Sequence, residues 1–373
     1  MAKSLEAYNK LKEEAESKGS DPPPLHPHSP TKAEYCPKEI ELYLLTANES
    51  DAVKVCKPFL SKNAHACYAL GNYFKNKNDI VNAWNYYSLG RKLDDPNCYR
   101  ESALITIDKE TANKYFERYI EKSKDYKYCR NLGILNQDLI GHYAYPGSKR
   151  ICLQRAVENY LKYVVHEKDF KYYEIIGDLL YEDTKYTDDV EIKKYRIENA
   201  IVSYKLFVHE TKNTDNKFNA LLGNLSYEIK EGESAIFYFE RYLGENKFLM
   251  GDYQLIKKLA ECYLGSDKGK ALELYKELYK MNGDDNDVLY AICKIYSENA
   301  DVGGIFNWFK IGVGKNIRDG KYMMALMYRK MNMRLKAKEV CLVAEREYRD
   351  AKQLGEVGKC QNLMIQLIIE SDD

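Results

Sequence analysis

Thiols and imidazoles are the side chains best equipped to bind a metal or attack a substrate, and their spacing in this chain favours neither. The ten cysteines occur singly between Cys36 and Cys360, with no Cys-x-x-Cys pair. The six histidines are His26, His28, His65, His142, His166 and His209, and only the first two are close in sequence. His26-Pro27-His28 could hold a metal adventitiously, but it stands in a proline-rich stretch and reads as part of a linker. Motifs that would cradle a phosphate, bind zinc or present a nucleophile are missing: there is no Gly-x4-Gly-Lys-Ser/Thr, His-Glu-x2-His or Gly-x-Ser-x-Gly, and no strand-led Gly-x-Gly-x2-Gly. Gly312-Val313-Gly314-Lys315 is superficially like a phosphate loop, yet it lacks the spacing, the hydroxyl residue and a preceding strand. The expectation is a non-enzyme with no cofactor, no metal and no catalytic residue.

Binding is the remaining chemistry, and composition narrows it. Lysine plus arginine equals aspartate plus glutamate at 57 each, so no global field draws in a phosphate backbone or an anionic membrane. Apolar residues are 45% and charged residues 31% of the 373, as in an ordinary folded protein. Scattered cysteines suit a reducing compartment, and neither a basic-then-apolar start nor an apolar run of membrane length is seen. These point to the cytoplasm, or the nucleus. Basic and aromatic residues interleave from Tyr115 to Arg130 and could stack bases or meet phosphates, although Tyr115, Phe116 and Tyr119 also fit core positions and acids interrupt the run.

The elements that must position any binding residue are helices. Residues 3–18 can form a short charged helix, but 19–30 (GSDPPPLHPHSP) cannot, because proline fixes φ and removes a donor. Beyond Thr31 only Pro37, Pro58, Pro96 and Pro146 remain, and helical periodicity takes over. One arrangement then recurs. Residues 67–96 read Cys67-x2-Leu70-Gly71-x2-Phe74, then Ala83-x3-Tyr87, then Gly90 and Pro96. The same register returns in Cys129-x2-Leu132-Gly133 with Ala156-x3-Tyr160, in Tyr173-x2-Ile176-Gly177 with Ala200-x3-Tyr204, and in Leu222-Gly223 with Ala235-x3-Phe239. Three further pairs follow: Leu259-Ala260 with Ala271-x3-Tyr275, Ile292-Cys293 with Gly304-x3-Trp308, and Met324-Ala325 with Ala337-x3-Cys341. Degenerate pairs at Ala52-x3-Cys56 and Ala112-x3-Phe116 complete the series. The small residues at 52, 83, 112, 156, 200, 235, 271, 304 and 337 are spaced by 31, 29, 44, 44, 35, 36, 33 and 33.

This pattern resembles the tetratricopeptide repeat, a helical hairpin of about 34 residues, and nearly as well the related Sel-like repeat. The resemblance covers about residues 40–345, with cysteine where the family prefers tryptophan. It implies an all-α superhelical solenoid of about nine hairpins over 35–345. A charged helix and proline-rich arm (1–34) would precede it, and a capping helix with an acidic tail (346–373) would follow. In the family, first helices line a concave face and ligand contacts come from fixed outward positions. On this sequence these are Tyr68, Asn72 and Lys75, then Arg130, Ile134 and Gln137, then Ala220, Asn224 and Tyr227. Asn72 and Asn224 match a position that holds an extended peptide, and Lys127 or Arg130 could meet an acidic group. Tyr68 stands where the carboxylate clamp of chaperone-binding members needs lysine, which puts that clamp in doubt.

The two 44-residue steps mark insertions in consecutive units. The first holds Tyr143, Tyr145, Lys149 and Arg150 beside turn residues, a composition that suits either a binding loop on one rim or a plain long turn. The functional expectation is a scaffold or adaptor that grips a protein or peptide segment through the groove or the rim loops. The alternative is an accessory factor that binds RNA or a ribonucleoprotein particle such as the ribosome.

Overall fold

The computed structural model describes residues 40, 44–45, 47–244, 253–298, 306–315 and 319–369. The arm 1–34, His26, His28, Cys36, Gly304 and the tail 370–373 lie outside them. Among the described residues the regular structure is helical throughout, with no strand. The chain divides into two compact units, 1–212 and 213–373, with the boundary at the turn that follows Thr211.

The first unit holds α1 (Glu49–Cys56), α2 (Ala64–Asn76), α3 (Ile80–Lys92), α4 (Pro96–Ile105), α5 (Lys109–Ser123), α6 (Cys129–Ile140), α7 (Pro146–Glu167), α8 (Tyr172–Asp183) and α9 (Val190–Thr211). The second holds α10 (Lys217–Glu228), α11 (Gly232–Leu243), α12 (Tyr253–Ser266), α13 (Lys268–Met281), α14 (Asn286–Glu298), α15 (Phe306–Gly314), α16 (Gly320–Lys330), α17 (Arg334–Asp350) and α18 (Leu354–Ile369). Within each unit consecutive helices pack as hairpins, so each is a run of an α-solenoid. α1 packs with Ile40 and Leu44 as the end of the first unit's core. The segment after residue 345 is no separate body: α17 runs through it, and α18 packs on α16 and α17.

Short polar caps start these helices. Asn48, Asn63, Asp79, Asp95, Asp108, Asp189 and Asp267 each accept a backbone N–H from the first turn that follows. Pro96 and Pro146 sit at the first helical position, where a missing N–H costs nothing. Pro146 bears on the expected rim loops. The insertions are mainly extensions of the second helices, since α7 and α9 run 22 residues each against 12 for α6 and α8. Only Gly141–Tyr145 joins α6 to α7, so Tyr143 and Tyr145 lie in a short connection while Lys149 and Arg150 are helical.

The small residues of the register act by close approach. A Cβ added at Gly133, Gly177 or Gly223 would stand 2.5, 2.7 or 2.5 Å from the ring of Tyr160, Tyr204 or Phe239, and Gly71 lies under Tyr87 in the same way. Tyr87, Tyr160 and Phe239 are among the largest fully buried side chains. The cysteines serve as small apolar residues, as their register positions predict. Eight of the nine described are buried and the ninth, Cys262, is half-buried. Burial pushes the thiols up, to about 12 for Cys56 and about 11 for Cys67, so neither is a ready nucleophile.

Two predictions follow from this packing. Gly133→Ala and Gly177→Ala should each lower stability by about 1–3 kcal/mol, because overpacking outweighs the better helix propensity of alanine. Gly265→Ala, where nothing lies within 4 Å, should instead gain about 0.5–1 kcal/mol; urea unfolding of the three variants checks the opposite signs. Alkali should also destabilise the first unit. Cys56 and Cys67 have folded values above the ordinary 9.0, so their contribution is full below pH 9 and disappears as pH rises to about 12. A denaturation midpoint that stays constant from pH 8 to about 11 would contradict this.

Candidate partner-binding surface

The outward positions of α2 do come together, but they are tied to the next first helix. Arg100 on α4 donates from Nη2 to the Tyr68 hydroxyl at 3.1 Å and to Glu101 Oε1 at 2.8 Å, while Lys75 pairs with the other oxygen of Glu101. Glu101 is buried, and its two cations neutralise it at the seam of α2 and α4. Asn72 accepts from the Tyr87 hydroxyl at 2.7 Å. Gln137 does the same for Tyr160, and Asp178 for Tyr204 at 2.6 Å. The residue beside or one turn beyond each glycine therefore receives the hydroxyl of the ring that covers it.

The other predicted residues fall as follows. Lys127 lies 3.2 Å from Asp125 and over the Tyr128 ring, and Arg130 is exposed on the first turn of α6. In the second unit Asn224 donates to the Ala220 carbonyl at 2.9 Å and accepts from Lys258. Beside it Tyr227 bonds Glu261; that carboxylate, helped by burial, pushes the phenol up to about 12. Tyr143 bonds Glu110, and Tyr145 is exposed. Lys149 lies 5.3 Å from the centre of the Tyr186 ring.

Arg150 has a structural partner. Its Nε donates to Asp183 Oδ1 at 3.1 Å, and Arg196 Nε sits 2.8 Å from Oδ2, an ion pair without good hydrogen-bond alignment. Asp183 is only 2% exposed. The rings of the 115–130 run are likewise engaged: Arg91 lies 4.4 Å from the Tyr115 ring, Phe116 and Tyr119 are buried against Tyr128, and Tyr126 stacks on His166 at 3.7 Å. Gly312 and Gly314 belong to helix α15, and Lys315 bonds the Gly283 carbonyl and Asp284, so no phosphate loop forms there.

What stays open is apolar. A groove of about 260 Å³ lies among α4, α5 and α6, lined by Ala103, Leu104, Phe116, Ile134, Leu135 and the Lys109 stem, with Thr106 and Asn131 at its polar edge. Leu104 is 47% and Ile134 41% exposed, and Ile107, in the turn between Thr106 and Lys109, is 97% exposed. Lys109 pairs with Asp138 at 3.0 Å beside it. Ile134 is a position that the repeat register marks. Leu104 and Ile107 were missed, and the signal for them is the run Ala103-Leu104-Ile105-Thr106-Ile107, which crosses the end of α4 at Ile105 and so cannot lie on one buried helix face.

Comparison with known proteins adds the following. No protein-family model matches the chain, and no curated protein matches it in sequence. Among solved structures, a TPR protein of Thermus thermophilus is similar with 16% identity and a TM-score of 0.26, over 54% of this chain and 99% of that one. The assembly chaperone of RpL4, Acl4, has 15% identity and a TM-score of 0.24 over 71% and 96%. The TPR domain of P58(IPK) has 14% identity and a TM-score of 0.26 over 88% and 98%. The described helices pack as consecutive hairpins in a repeat array, and none of these structures bears on the side chains of the groove. No described helix is long and apolar enough to cross a membrane.

Asp183→Ala would leave two arginines facing a buried, unneutralised site. It should cost about 3 kcal/mol, whereas Lys149→Ala, which removes a half-exposed cation, should cost under about 0.5 kcal/mol; equal midpoints in urea would refute the assignment.

Proposed function

We propose that the chain is a non-catalytic scaffold that holds a segment of another protein on the first unit, with an apolar side chain of that segment seated among α4, α5 and α6. The observation that carries this reading is an apolar groove among α4, α5 and α6 in whose lining Leu104 and Ile134 are exposed. At about 260 Å³ the groove is smaller than a typical small-molecule site, and it suits an anchoring side chain better than a whole ligand. Arg130, exposed on α6, could meet an acidic group of the bound segment. Thiols placed as apolar residues suit the cytoplasm or the nucleus.

The alternative is a contact with RNA or a ribonucleoprotein particle. It has less support, because the rings of residues 115–130 are committed to internal partners and few remain to stack on bases.

Affinity purification from the native cell should yield one stoichiometric protein partner. Ile134→Asp should weaken that complex at least about tenfold while leaving the fold intact, since the position is half-exposed. Recovery of an RNA-containing particle whose binding falls steeply with salt and is indifferent to Ile134→Asp would replace this reading with the other.

A further inference from the structure

Two of the buried cysteines share one seam, between α17 and α18. On α17, Ala337, Cys341, Ala344 and Tyr348 follow at steps of four, three and four and form its buried stripe. On α18, Val357, Cys360, Leu363 and Leu367 do the same at steps of three, three and four. The two stripes enclose one core, in which Cys341 and Cys360 are both wholly buried. Alanine stands on either side of Cys341 in its stripe, so no long neighbour holds the two helices apart there.

The thiols are arranged differently here from elsewhere in the chain. Cys67 donates to the Leu60 carbonyl at 3.2 Å and Cys293 to that of Trp308 at 3.5 Å. Cys341 likewise donates to a carbonyl, at 3.4 Å, but that carbonyl belongs to Cys360. The two thiols also bond each other, and when Cys341 ionises Cys360 is the donor. This bond holds the Cys341 thiol below its ordinary value against the burial that raises it, and the same bond together with burial pushes Cys360 up. Burial is the main cause that raises the other seven described cysteines. Among the described residues Cys341 is therefore the thiol most ready to ionise, and a second sulfur lies beside it.

A nucleophilic sulfur next to a second thiol closes to a disulfide before it can be oxidised further. We infer that Cys341 and Cys360 are a redox pair that a hydroperoxide converts to a disulfide, fastening α17 to α18. The Cys341 thiolate attacks one oxygen of hydrogen peroxide and the O–O bond breaks. The other oxygen leaves as hydroxide and takes up the proton that the thiol released, so water and a sulfenic acid result. The Cys360 sulfur then attacks the Cys341 sulfur: the S–S bond forms, the S–O bond breaks, and the hydroxyl leaves as a second water with the Cys360 proton. Two thiols have given up two electrons and two protons, and the peroxide has accepted them.

Burial decides when this happens. Neither sulfur is exposed, so the oxidant enters when α18 lifts from α16 and α17, on which it packs. Reclosing returns the two sulfurs to each other, and the bridge then ties the short chain between them at both ends and suppresses further opening. The pair is a lock on α18 that peroxide sets and a reductant releases.

Hydrogen peroxide added to the folded full chain should remove two of its ten thiols, and a peptide map should show Cys341 joined to Cys360. Hydrogen exchange of the α18 amides should slow at least about tenfold on bridging and recover when dithiothreitol is added. Cys360→Ala should instead stop at a sulfenic acid on Cys341, which dimedone labels. A folded chain that keeps all ten thiols would overturn the inference. So would a bridge between other cysteines, α18 exchange that does not change on bridging, or dimedone labelling of Cys341 that is equal with and without Cys360. Should Cys360→Ala fail to fold, the peptide map and the exchange of the unsubstituted chain decide by themselves.

Discussion

The close approach of a first helix to the aromatic ring of its second helix is the constraint on which the array depends. A hairpin of two short helices cannot enclose a core by itself, and dispersion falls off steeply with a gap of even 1 Å. Gly71, Gly133, Gly177 and Gly223 remove the Cβ that would hold the helices apart, and a buried ring fills the space. Where the first helix keeps a Cβ, the partner can shrink in return: Ala325 shares its core with Cys341, and both are fully buried. The helix-propensity cost of the glycines, about 1 kcal/mol each, is offset by ring burial.

That contact has a polar consequence for the exposed face. A tyrosine laid across a glycine must satisfy its hydroxyl, and the nearest acceptors belong to the first helix: Asn72, Gln137 and Asp178. These are among the positions that tetratricopeptide proteins present to ligands. Here they are part of the interhelix seam. Phe239 has no hydroxyl, and the residue after its glycine, Asn224, turns to Lys258 on the neighbouring first helix. The same substitution of internal for external bonding occupies Tyr68 and Lys75 through Arg100 and Glu101. Apolar exposure on α4 and α6 is then the more informative sign of a binding surface, because nothing in the fold consumes it.

The hairpins were legible in sequence because glycine or alanine before an aromatic recurs at nearly fixed spacing. The first helix of the α4 hairpin was not. Ser102 stands in the glycine's place, fully buried, with its hydroxyl bonded back to the Cys98 carbonyl at 2.7 Å, so the marker is absent while its packing role survives. The groove beside α4 was hidden for that reason. The rim was misjudged for another: Gly141, Pro146 and Gly147 look like turn residues together, yet proline at a first helical position starts a helix as readily as it breaks one. A 44-residue step fixes how much chain is inserted and leaves open whether it coils.

The paired insertions share a buried contact at Asp183. α7 and α9 exceed their partner helices by ten residues each, so their early turns need support that α6 and α8 cannot give. The short 3-10 turn Thr184–Tyr186 packs on both long helices. The Asp183 carboxylate, just before it, takes Arg150 from one and Arg196 from the other. One buried carboxylate thus takes a guanidinium from each of the two long helices. Shortening either helix would leave a charge without its counterpart. The two extensions, each of ten residues and in adjacent hairpins, therefore meet at one buried group.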